Sequence, residues 1–189
     1  MSGFYLVGLC GSLRARSTNR FLMNEAARRF APQQFDEADL RLPLFDEDVQ
    51  DRDGLPPDVE KLVGQISAAD AVIVATPEYN KGLSGVLKNA LDWISRAPGK
   101  PWLDKPVALM SATAGRSGGE RTQTMTRACL VPFRPRLLEG PEVLVAQTAS
   151  QWGDDDQLTN TRNAETLQEL MDALRIEAAQ YQKKKAAAG

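Results

Sequence analysis

Apolar and polar positions alternate on two different periods along the chain. Five short runs, residues 4–9, 38–42, 71–76, 106–113 and 142–146, have the length and apolar content of strands. Between them the apolar positions recur at helical spacing. The clearest case is 83–94, where Leu83, Val86, Leu87, Ala90, Leu91 and Ile94 fall at i, i+3, i+4, i+7, i+8 and i+11 before Pro98-Gly99 ends the pattern. Val59, Leu62, Val63 and Ile66 predict a helix that begins after Pro56-Pro57, and Leu22, Ala26 and Phe30 predict one ended by Pro32. Leu167, Leu170, Met171, Leu174 and Ala178 predict a last helix, while 119–130 is helical with a weaker period. From about residue 182 the segment KKKAAAG reads as a frayed helix end or solvated tail.

Strands that alternate with helices imply right-handed crossovers and a parallel sheet covered on both faces. The run AVIVAT lacks polar alternation, as a central strand of such a sheet requires. Five strands and five helices fit a flavodoxin-like three-layer α/β/α sandwich, with a five-stranded parallel sheet of order 2-1-3-4-5, better than a six-stranded Rossmann sheet. Residues 1–189 are expected to form one domain.

Charge and composition narrow the partners. With 23 Lys and Arg against 25 Asp and Glu there is no global basic field, which disfavours nucleic acid and anionic membranes as partners. The absence of any long apolar run or basic-flanked leader predicts neither a membrane span nor a signal peptide. Two cysteines, Cys10 and Cys129, make no metal-ligand pattern and suit a reduced, cytoplasmic protein, with Cys10 a small buried hydrophobe. Histidine is absent altogether, which removes the Ser-His-Asp and Cys-His triads, the usual zinc ligands and the commonest general base. An enzyme of this composition leaves the hard chemistry to a cofactor.

Ligands of open doubly wound sheets sit beyond the carboxyl ends of the strands, here the first and third. The first strand ends in GSLRARSTNR, residues 11–20. Gly11 permits a tight turn, Ser12, Ser17, Thr18 and Asn19 offer hydrogen bonds, and the free amides of the next helix point at an anion, to which Arg14 adds a charge-assisted bond. The same residues also read as a plain N-cap, Ser17 or Thr18, with solvated arginines. Neither G-x-x-x-x-G-K-[ST] nor G-x-G-x-x-G is present, so a mononucleotide with a terminal phosphate is favoured over a nucleoside triphosphate or a dinucleotide. After the third strand, Pro77-Glu78-Tyr79-Asn80 reads either as a polar turn or as an aromatic wall with amides for a flat heterocycle.

Taken together, GSLRARSTNR, TPEYNKGLSGVLKNALDWISR and KPVALMSATAGRSGGERTQ resemble the NAD(P)H-dependent FMN reductase family, particularly its bacterial chromate and quinone reductase branch, from residue 4 to about 146. The resemblance implies tightly held FMN as cofactor and NADH or NADPH as co-substrate. It implies hydride transfer to the flavin, whose electrons then pass at the same face to a quinone, free flavin, chromate, azo or nitro compound. By that resemblance the phosphate loop is Ser12, Arg14, Ser17, Thr18 and Asn19, with Arg16 and Arg20 facing solvent. The isoalloxazine loop is Pro77, Glu78, Tyr79 and Asn80, with Ser111, Thr113 and Gly115 beside it. No side chain is expected as acid or base. The resemblance also implies a homodimer or homotetramer, for which the 83–94 helix is a candidate interface, with Trp93 read either as part of it or as core or ordinary surface. Met125 stands where family members often carry histidine, and Lys81-Gly82-Leu83 departs from the usual segment after P-E-Y-N. A flavodoxin-type electron carrier, against which Arg14 and P-E-Y-N argue, and a non-catalytic flavin-binding partner protein are the competing readings.

Overall fold

The computed structural model describes residues 3–188. Its strands are β1 (Tyr5–Cys10), β2 (Gln34–Ala38), β3 (Ala71–Ala75), β4 (Glu78–Tyr79), β5 (Gly82–Leu83), β6 (Pro106–Ala112), β7 (Arg136–Leu137) and β8 (Val143–Val145). Its helices are α1 (Thr18–Phe30), α2 (Glu47–Asp53), α3 (Pro57–Ala68), α4 (Gly85–Ser95), α5 (Glu120–Leu130) and α6 (Thr161–Ala188). The main sheet is parallel in the order β2-β1-β3-β6, with β7 and β8 both paired to β6 on its outer edge. This is the expected 2-1-3-4-5 arrangement, its fifth strand delivered in two pieces. Leu138 still donates its N–H to Val107, but Pro141 has no N–H to give, and the ladder resumes only at Val143.

Every residue of β3 and β6 is buried, so the two central strands carry apolar side chains towards both faces. Leu22, Ala26 and Phe30 of α1 pack with Leu167, Leu170, Met171 and Leu174 of α6 on one face. Leu62 and Ile66 of α3 pack with Leu87, Leu91 and Ile94 of α4 on the other. Each Leu, Ile, Met or Phe among them, withdrawn from water, contributes about 1.5–3 kcal/mol. The weak period of α5 has a physical reason, because its inner face is polar: Thr122, Gln123 and Thr126 are buried beside Leu130.

Two expectations change and two open readings are decided. The second strand lies at 34–38 instead of 38–42, because β1 supplies ladder partners only as far as Leu9↔Ala38, and the alternation of Ala38, Leu40 and Leu42 continues as extended chain packed on the α3–α4 side. Helix α2 was invisible to periodicity since none of its residues is buried; Asp46 starts it by accepting from the N–H groups of Asp48 and Val49. Of the two readings of the segment from residue 182, the helix end holds: α6 continues to Ala188, with Lys183–Ala187 exposed. Of the readings open for Trp93, core holds: it is 1% exposed, its indole donates to the Pro43 carbonyl at 2.8 Å and its ring stands edge-on to Phe45. Among the described residues no helix is long and apolar enough to cross a membrane.

At the amino end of β6, Lys105 is fully buried, its ammonium donating to the carbonyls of Ser67 and Ala69 at the end of α3 and lying over the Tyr181 ring. Burial, reinforced by the charge of Lys185 and opposed by Asp70, pulls its pKa down to about 8. A lysine less basic folded than unfolded costs stability while charged, and that cost is relieved progressively as pH rises from its folded to its unfolded pKa. Stability relative to Lys105→Met is therefore expected to rise by about 1–3 kcal/mol between pH 8 and the ordinary lysine range above 10. Urea melts of both proteins at pH 7.5 and 10 check this, and parallel pH curves would contradict it.

Candidate active site

The carboxyl ends of β1, β3 and β6 open on a cleft of about 350 Å³, within the range of small-ligand sites. Ser12, Arg14, Ser17, Thr18 and Asn19 line it from the loop after β1, Pro77, Glu78 and Tyr79 from the segment after β3, and Thr113 and Gly115 from the loop after β6. Ala112, Ala114, Ser117 and Thr148 complete the wall.

Gly11 begins the first loop by donating to the Ala75 carbonyl at 2.8 Å. A Cβ there would stand 2.6 Å from the Thr76 hydroxyl and 2.9 Å from that of Ser84, so only glycine lets the loop lie this close to β3. Ser17 occupies the N-cap of α1 in extended conformation, yet its side chain makes no capping bond; its hydroxyl lies 3.9 Å from the Cys10 sulfur. The first turn of α1 also contains no acidic residue. Its leading N–H groups and the positive end of its dipole are therefore left for an external anion. The Cys10 thiol is buried, bonded to the Ser12 carbonyl, and held above its ordinary pKa chiefly by burial, which fits a small packing residue.

The three arginines of this loop divide the work. Arg20, expected to face solvent, is mostly covered: it pairs with Glu37 at 2.6 Å and donates to the carbonyls of Arg14 and Ala15 at 2.7 and 3.2 Å, bracing the loop from behind. Arg16 reaches Asp156 at 3.2 Å and lies over the Phe21 ring. Arg14 alone of the three lines the cleft, and its guanidinium has no partner among the described residues.

Asn19 is 2% exposed, and both polar atoms of its carboxamide are bonded: the nitrogen donates to the Ala112 carbonyl at 2.8 Å and the oxygen accepts from the Ala112 N–H at 2.9 Å. Its side chain thereby joins the first turn of α1 to the end of β6.

Glu78 and Tyr79 pair antiparallel with Leu83 and Gly82, and the two-residue turn between them, Asn80 and Lys81, has φ of 50° and 65°. Positive φ at both positions is the mirror-image turn that matches strand twist, and asparagine tolerates it best after glycine. Asn80 is thus selected by the turn, sits at an exposed tip and does not line the cleft, contrary to its expected role. Met125 holds this hairpin to α5, its sulfur accepting from the Leu83 N–H at 3.3 Å. Ser111 also departs from expectation. Fully buried, it donates to the Gly118 carbonyl at 2.6 Å and accepts from Gln123 at 3.0 Å, so it builds the turn behind the wall. A Cβ on Gly119 would lie 2.7 Å from its hydroxyl. Thr148 was missed because it follows the fifth strand; its N–H reaches the Thr113 carbonyl at 3.2 Å, and a hydroxyl residue just past that strand was the available signal.

Two buried polar atoms on cleft-lining residues have no partner: the Thr113 hydroxyl and one Glu78 carboxylate oxygen. Buried groups of this kind normally find a bond, and both of these lie on the cleft wall without one. Cation, free amides and hydroxyls at one end, with an unsatisfied acceptor and hydroxyl beside Tyr79 at the other, suit a phosphate joined to a flat polar heterocycle.

The sequence model of the NADPH-dependent FMN reductases matches residues 4–150. The chain belongs to that family. It is an oxidoreductase that uses FMN and NAD(P)H. An NAD(P)H-dependent FMN reductase of Pseudomonas aeruginosa is 39% identical over 173 residues, 90% of this chain and 93% of that one. A quinone reductase of Escherichia coli is 39% identical over 143 residues, 74% and 76% of the two chains. Among solved structures, FerB, a flavoenzyme NAD(P)H:(acceptor) oxidoreductase from Paracoccus denitrificans, superposes with a TM-score of 0.83 at 28% identity, covering 94% of this reductase and 98% of FerB.

Asn19→Ala in this reductase leaves the Ala112 N–H and carbonyl buried and unpaired, an expected loss of about 2–4 kcal/mol. Thermal melts of the apoprotein and FMN titration check it. Both stability and FMN affinity should fall, and a change in affinity alone would show that Asn19 is a ligand contact rather than a strut.

Proposed function

We propose that this reductase passes electrons from NADH or NADPH to quinones. FMN would be held by its phosphate at the N-terminus of α1 with Ser12, Arg14, Ser17 and Thr18, and by its ring against Pro77–Tyr79 and Thr113. The observation that carries the reading is the uncapped start of α1 facing the same cleft as the unpaired Arg14. FMN, when bound, supplies two-electron exchange between nicotinamide and acceptor. The chain's own residues bind and orient. Glu78, an acceptor without a partner, suits a ring N–H, and the Thr113 hydroxyl suits a ring carbonyl or nitrogen. No histidine is present to move a proton, and none is needed where protein groups only position the reactants.

The names of relatives support quinones as the acceptor class: besides the Escherichia coli protein, an NAD(P)H:quinone oxidoreductase of Solanum tuberosum is 35% identical and covers 89% of this chain. The cleft is open beside Tyr79, which is 54% exposed, so acceptors need little shape recognition, and chromate, azo and nitro compounds are secondary substrates of the same face. Exposed Tyr79 and Met125 leave that side of the cleft to a second copy of the chain in a homodimer or homotetramer. Unpaired Cys10 and Cys129 suit the reducing cytoplasm.

Purified protein is expected to be yellow, to release FMN and not FAD on denaturation, to bleach with NAD(P)H without air and to recover its colour on addition of a quinone. Arg14→Ala should raise the Kd for FMN by tenfold or more, the loss of one charge-assisted bond of about 1.5–3 kcal/mol, and leave the apoprotein melting temperature unchanged. A colourless protein that FMN cannot reconstitute, or an unchanged Kd, would overturn the assignment.

A further inference from the structure

At the amino-terminal end of the sheet, away from the flavin cleft, a second cavity of about 360 Å³ lies between the chain leaving α4 and the 3-10 turn Val131–Phe133. Ile94, Pro101, Trp102, Pro132 and Phe133 give it apolar walls, and the Trp102 and Phe133 rings pack 6.4 Å apart. Flavin binding uses none of these residues.

Three features set this cavity apart from an ordinary surface hollow. Trp102 is 1% exposed, yet its indole N–H is buried without an acceptor. A donor left in that state costs about 1–3 kcal/mol and calls for a partner. Lys100 and Arg134 stand on the rim, and neither side chain pairs with a carboxylate among the described residues. Both also hold φ near +50°, a conformation that side chains other than glycine, asparagine and aspartate resist. The loops keep them there: Leu103 N–H bonds the Lys100 carbonyl at 3.0 Å, Arg134 N–H bonds that of Val131 at 3.1 Å, and Asp104 N–H bonds that of Arg134 at 3.1 Å.

We infer that this cavity is a second small-molecule site, for a planar aromatic monoanion such as an aryl carboxylate. The ring packs between Trp102 and the proline and phenylalanine walls. The anionic group takes the charges of Lys100 and Arg134, and one of its oxygens accepts from the Trp102 indole. The size of the cavity, near the lower end of the roughly 300–1,000 Å³ range of small-ligand pockets, admits one or two fused rings and excludes a dinucleotide. Since the site lies across the sheet from the flavin cleft, occupancy by such an anion does not compete with NAD(P)H.

The test uses 1-naphthoate and the FMN-loaded protein, followed by calorimetry and tryptophan fluorescence. One equivalent is expected to bind, with the neutral 1-naphthalenemethanol at least tenfold weaker. The double variant Lys100→Gln/Arg134→Gln should weaken naphthoate at least tenfold, and Trp102→Phe should weaken it measurably, both with unchanged NAD(P)H:quinone turnover. If Trp102→Phe does not fold, the double variant decides alone, since both its sites are exposed. No binding at millimolar naphthoate, equal binding of the neutral analogue, undiminished binding by the double variant, or displacement by NADH would each overturn the inference.

Discussion

The reciprocal hydrogen bonds between the Asn19 carboxamide and the backbone of Ala112 fix the distance on which the cleft depends. One partner lies in the first turn of a helix and the other at the end of a central strand, 93 residues apart in sequence. Bonds of this sort, buried and reciprocal, are worth more in a low-dielectric interior than at the surface, and they admit little lateral slack. The loop after β1 and the loop after β6 are thereby parts of one rigid frame. Gly11, bonded to Ala75 and pressed against Thr76, adds the end of β3 to the same frame.

Within that frame several local preferences are left unmet. Ser17 sits where a serine normally caps a helix and does not cap it, Arg14 carries a charge with no counterion, and Thr113 and Glu78 bury polar atoms without partners. The uncapped helix start and the two buried atoms cost stability in the protein alone, the exposed Arg14 is merely unpaired, and all four lie on one cleft. Such local violations gather where a molecule supplies what the chain withholds. Arg20 shows the complement: by meeting the carbonyls of Arg14 and Ala15 and pairing with Glu37, it keeps an otherwise unsupported loop in position so that its neighbour can remain unpaired.

Much of this was legible in the chain. Buried strands and helices with a strong apolar stripe announce themselves through period, and the position of ligand loops follows from parallel topology, so ten of the twelve expected site residues line the cleft. What failed did so for local reasons. Asn80 and Ser111 are polar residues beside the site whose side chains serve a turn and a buried network, a distinction that depends on backbone angles and on partners far along the chain. Asn19 lies in the cleft wall, but nothing in the spacing reveals that its amide is already engaged with Ala112. Arg20 looked like Arg16 because the register of β2, which brings Glu37 to it, was displaced by four residues in the reading from periodicity. Helix α2, with no buried face, leaves no periodic trace at all.

The hairpin of β4 and β5 separates two properties that a single loop would have combined. Its base, Glu78 and Tyr79, borders the cleft, and its return strand is secured by Met125, but its tip, Asn80 and Lys81, is exposed and stands outside the lining. Substitutions or added residues at that tip alter what a molecule approaching the cleft encounters and leave the frame beneath intact. Wall and tip are thus separately anchored in this chain: the first is tied into the sheet, and the second answers only to the backbone angles of its own turn.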